Sequence, residues 1–72
     1  MMPLTWNDYR EIGERLFERF GALNPLSVRF TDLHKWVQEL EGFTGQAQES
    51  NEKVLEAIQM AWHDEWEDEY GE

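Results

Sequence analysis

Apolar residues recur along the chain in three blocks at helical spacing, separated by short stretches rich in Gly, Pro and polar residues. In "TWNDYREIGERLFERF" the apolar positions Tyr9, Ile12, Leu16, Phe17 and Phe20 fall three or four residues apart, which predicts a first helix capped by Asn7 or Thr5 and ended by Gly21. Pro25 in "GALNPLS" breaks any continuation, and "VRF" then reads as a short extended piece before Thr31, the predicted N-cap of a second helix with Asp32 in its first turn. That helix, "DLHKWVQELE", lines one face with Leu33, Trp36, Val37 and Leu40, and Gly42 is its expected stop. The connector "GFTGQAQE" is polar apart from Phe43, which is expected to tuck under the helices. Ser50 is the predicted cap of a third helix, "NEKVLEAIQMAWHDEW", whose inner face carries Val54, Leu55, Ile58, Ala61 and Trp62. The pattern predicts a mainly α fold, a small three-helix domain with little or no β structure.

Seventy-two residues allow one domain at most, and a chain of this size buries only about 60% of its unfolded surface, so the core must be dense. Four Trp, two Tyr and four Phe help, because a buried ring removes roughly 150–250 Å² from water. The absence of Cys excludes a disulfide framework, a thiolate metal site and a Cys nucleophile, and fits a reducing compartment. The first residues lack a basic segment followed by an apolar one, and no apolar run nears the ~20 residues that span a bilayer. A cytoplasmic protein is expected, with no membrane partner.

Charge changes the picture more than composition. The net charge is −10, and residues 54–72 contain seven acids and no base. Such a field repels nucleic acid and anionic lipid and attracts cations or a basic protein surface. Asp64, Glu65, Glu67, Asp68 and Glu69 crowd the C-terminal end of the third helix, where the macrodipole disfavours them and they repel one another. Fraying after about Trp66 is therefore expected, leaving a domain of residues 1–66 and an acidic tail of residues 67–72. The tail reads either as a solvated, solubilising segment or as a partner contact, with Trp66 and Tyr70 as aromatic anchors among the acids.

On the first helix Asp8, Glu11, Glu14 and Glu18 fall within an arc of about 120° opposite the apolar face. Hard divalent ions accept such oxygen ligands, although a convex stripe holds an ion loosely and largely hydrated. The competing reading is a solvated face in which Glu11 pairs with Arg15. His34 can cap, fill a core edge or reach a metal, and His63, four residues before Glu67, faces solvent or makes a weak two-ligand contact. Trp36 and Trp62 read as core, and Trp6 as a staple ahead of the first helix.

The runs "REIGERL", "VRFTDLHKW" and "SNEKVLEAI", followed by Trp62 and "DE" at 64 and 65, resemble the IscX family, small acidic proteins of bacterial iron-sulfur cluster assembly. The resemblance extends over residues 4–65. It implies a compact fold of modified winged-helix-like topology, weak binding of ferrous iron, Fe(II), through surface carboxylates, and docking on the cysteine desulfurase of the pathway. In that family the protein acts as a monomeric adaptor and regulator of the desulfurase, in the region where bacterial frataxin also binds. Carried onto this sequence, it implies iron contacts at Asp8, Glu11, Glu14 and Glu18. The expected partner surface comprises Glu11, Glu14, Glu18, Glu39, Glu41, Asp64 and Glu65. Two departures from the family pattern are expected to weaken iron binding. "GFTGQAQE" stands where relatives often carry several aspartates, and Arg15 and Arg19 place cations beside the stripe, while "HDEWEDEYGE" supplies acidity elsewhere.

Rival classes are weak. A winged-helix-like arrangement suggests DNA binding, yet the third helix offers only Lys53 against many acids. No nucleophile sits beside a base and no phosphate loop is present, so neither an enzyme nor an organic cofactor is expected. The alternative is an acidic interaction domain or decoy that mimics nucleic acid charge.

Overall fold

The structure is a computed structural model and describes residues 3–71. Among these residues it contains three α-helices, α1 (Tyr9–Phe20), α2 (Phe30–Gln38) and α3 (Glu52–Tyr70), with one-turn 3₁₀ segments at Pro25–Ser27 and Ala47–Glu49. Extended pairing among the described residues is limited to a parallel bridge between Leu4 and Phe43. The mainly α fold with little β matches the expectation from the pattern.

Helix α1 forms where the sequence places it, but its start is built differently. Asp8 occupies the N-cap without a side-chain capping bond. Its carboxylate instead accepts from the Thr5 N–H at 2.8 Å and the Thr5 hydroxyl at 3.2 Å, closing the preceding turn. Neither Asn7 nor Thr5 caps. Gly21 ends the helix at φ 58, a left-handed conformation that suits Gly, and its N–H donates to the Phe17 carbonyl at 2.8 Å.

The second helix begins two residues early. Val28 and Arg29 are extended, as predicted for the first two residues of "VRF", but Phe30 is already helical and Thr31 is not the cap. Packing of Phe30 against the core accounts for this, because a tertiary contact outweighs a local capping preference. The helix also stops at Gln38 rather than Glu41, and the Glu39 N–H is shared between the Lys35 and Trp36 carbonyls, which tightens the last turn.

The third helix is capped by Asn51, whose side chain accepts from the Val54 N–H at 2.9 Å. Ser50, the predicted cap, donates instead to the Ala47 carbonyl. Where fraying is expected after about Trp66, α3 continues to Tyr70, and the Gly71 N–H closes the end on the Glu67 carbonyl at 2.8 Å. Trp62, Trp66 and Tyr70 are spaced four apart, so their rings line one side of the helix. Trp62 is fully buried, the Trp66 indole N–H donates to the Ala22 carbonyl at 2.9 Å, and Tyr70 meets Phe17 edge-on at 6.2 Å. These contacts hold the last turn while its acids point to water. Glu72 of the expected tail lies outside the described residues.

The core joins all three helices through Ile12, Leu16, Leu33, Val37, Leu55, Ile58 and Trp62. The crossing of α1 over α3 requires Gly13: a Cβ there would lie 2.8 Å from the Trp62 backbone nitrogen and 2.9 Å from the Ala61 carbonyl carbon. Trp6 does more than staple α1. It is buried, stacks on His34 at 5.1 Å, meets Phe43 edge-on at 4.8 Å and donates to the Gln46 carbonyl at 2.7 Å. The N-terminal segment is thereby fastened to the α2–α3 connector, and Phe43 packs inward as expected.

Candidate acidic interaction surface

The core turns the acidic arc of α1 outward, and the structure then sorts its members by what else they touch. Asp8 is engaged with Thr5. Glu11 accepts from Arg15 Nε at 3.0 Å, the i, i+4 pair expected from the sequence. Glu14 and Glu18 are exposed and have no ion pair among the described residues.

The other candidate carboxylates fall on the two flanks of α1. Toward the end of α2, Arg19 pairs with Glu39 at 3.8 Å, and Arg15 also reaches the Glu41 backbone carbonyl at 3.4 Å. The two arginines therefore bind down the α2 side of the surface and leave Glu14 and Glu18 without an ion pair among the described residues, with Arg10 in the same hollow as Glu14. On the other flank Asp64 and Glu65 line a cleft between the start of α1 and the middle of α3, together with Tyr9, Arg10, Ala57, Met60 and Ala61. The seven predicted partner residues thus form no single cluster; Glu11, Glu39 and Glu41 gather around the arginines, whereas Asp64 and Glu65 stand apart.

Among the described residues no three His, Asp or Glu side chains converge on a point that could hold a metal ion. The α1 carboxylates lie on a convex face, so each can offer oxygen to a hydrated ion but they cannot enclose one. The histidines do not alter this. His34 fills a core edge, with Nε2 3.0 Å from the Ala47 carbonyl, which settles the reading left open by the sequence. His63 is largely covered rather than solvent-facing: it stacks on Trp66 at 5.8 Å and lies 4.0 Å from Glu67. Trp66 is engaged within the chain and is not a free anchor, while Tyr70 keeps half its surface exposed.

Sequence reasoning missed two residues of this surface, Tyr9 and Met60. Both leave large apolar area exposed. Met60 carried a signal, since it falls outside the inner stripe of Leu55, Ile58 and Trp62; Tyr9 carried none, because its spacing matches the apolar face of α1.

The site is thus an acidic surface on a compact helical domain, with Glu14 and Glu18 free of ion pairs among the described residues. A family model described as iron-sulphur cluster assembly matches residues 4–67, and the chain belongs to that family, the IscX family. An uncharacterized protein of Pseudomonas aeruginosa is 48% identical over 64 residues, covering 89% of this chain and 97% of the relative. Membership gives the chain a role in iron-sulfur cluster assembly, in contact with the assembly machinery. Among the described residues no helix is long and apolar enough to cross a membrane.

Proposed function

We propose that the chain is an adaptor that docks on the cysteine desulfurase of the pathway through its acidic face and associates weakly with ferrous iron. The observation that carries this reading is the state of the α1 crest. Glu14 and Glu18 project into water with no ion pair among the described residues, in a molecule of net charge −10. Negative charge of this kind draws in a basic protein surface and loosely collects hard divalent ions.

Iron in this scheme is cargo or signal and not a resident cofactor. A ferrous ion contacting Glu14 or Glu18 keeps most of its water shell, because no further ligand converges with them among the described residues. Arg15, held to Glu11, lowers the local attraction further.

Separate titrations of isotopically labelled protein with ferrous iron and with purified desulfurase, following backbone resonances, test the proposal. Desulfurase is expected to perturb α1 around Glu14 and Glu18 and α3 around Asp64 and Glu65. Iron is expected to move a subset of the same α1 resonances in fast exchange. The reading is overturned by an unperturbed spectrum with desulfurase at micromolar protein, or by shifts confined to the α2–α3 connector.

A further inference from the structure

We infer that the cleft between the start of α1 and the middle of α3 is the apolar centre of the docking surface. Its occupant is a desulfurase segment that presents an apolar side chain next to a Lys or Arg. This rests on the proposed docking and adds a contact that acidity alone does not supply.

The cleft has the layout of an interface centre. Ala57 and Ala61 form a low floor, and the taller Tyr9 and Met60 stand beside it, 36% and 52% exposed. Asp64 and Glu65 edge it toward the C-terminal end of α3, three and four residues beyond Ala61 on the same helix side. Tyr9 and Arg10 also line a neighbouring hollow with Asn7, Asp8, Glu11 and Glu14, so the apolar patch runs on directly into the acidic arc of α1. An apolar centre within a charged rim is the usual anatomy of a protein contact.

Charge selects the occupant. Neither Asp64 nor Glu65 has an ion pair among the described residues, and residues 54–72 contain no Lys or Arg. Arg10 is the single cation of the lining and sits on the side shared with α1. A second copy of the chain would bring another −10 to the same place, and nucleic acid or an anionic lipid surface is repelled in the same way. An uncharged apolar segment would cover the rings but strip water from Asp64 and Glu65 without replacing it. A Lys or Arg satisfies both needs: its aliphatic stem lies along Met60 and the Tyr9 ring while its cationic head reaches the two carboxylates.

Association and dissociation rates on immobilised desulfurase, for the wild type and for Tyr9→Ser and Met60→Ser taken separately, test the inference. Both side chains are exposed, and circular dichroism confirms that each variant remains folded. The expected result is dissociation faster by about tenfold with an unchanged association rate and unchanged salt slope, since desolvated contacts set the rate of leaving. Glu14→Lys should do the reverse, slowing association with little effect on dissociation. Wild-type binding with unaltered dissociation in both cleft variants overturns the inference and leaves the docking proposal standing. Failure of the wild type to bind overturns both.

Discussion

Gly13 shows how closely a single position can be constrained in so small a core. Within "REIGERL" it resembles an ordinary weak spot in a helix, and nothing in the sequence states that the α3 backbone lies against it. Replacement by Ala would gain about 1 kcal/mol of helix propensity. The added Cβ, however, meets backbone atoms of Trp62 and Ala61 at under 3 Å, and backbone cannot swing aside as a flexible side chain can. Gly13→Ala should therefore lower stability by about 1–3 kcal/mol net, read as a fall in the urea midpoint at constant slope. The cap of α3 illustrates a different limit at the same scale. Ser50 and Asn51 are adjacent and equally good cap residues, so sequence alone could not choose between them. The structure selects Asn51, and Asn51→Ala should cost about 1 kcal/mol, while Ser50→Ala, which loses only a surface bond to Ala47, should cost less.

At the scale of elements, three helices were legible because each carries a sustained apolar stripe, and periodicity is the most durable signal a sequence holds. Their ends were less legible. Phe30 enters α2 ahead of its expected cap through a core contact that no local rule contains. The end of α3 is the clearest case. Local electrostatics disfavours helix at Asp64 to Glu69, but Trp62, Trp66 and Tyr70 share one side, and the last two find Ala22 and Phe17 at the α1 end. Tertiary burial outweighs repulsion among solvated acids. Two substitutions separate these opposing effects. Trp66→Ala should melt the last turns, seen as loss of amide hydrogen-exchange protection near Tyr70. Neutralising Glu67, Asp68 and Glu69 to Gln should raise stability by a few tenths to about 1 kcal/mol, since like charges at the negative end of the dipole are relieved while the rings stay in place. Truncation after Glu65 would confound the two, because it removes ring contacts together with charge.

On the scale of the whole molecule, the acidic character was fully legible and its partition was not. The sequence shows Arg15 and Arg19 beside the α1 acids, but only the fold reveals that they bind down the side facing α2 and leave Glu14 and Glu18 free of ion pairs among the described residues. Reversing both to Lys should weaken iron association without unfolding the domain, since each side chain points away from the core. Thermal unfolding and iron titration of the same sample check the two halves of that statement. The central claim is that a −10 chain meets its desulfurase through charge steering on an acidic face. Its most direct test is the association rate of the purified pair measured from about 50 to about 500 mM salt, a range over which screening shortens from beyond 10 Å to a few Å. A steep fall in the association rate across that range, with far smaller change in dissociation, is the predicted result. An association rate that does not depend on salt would contradict the account.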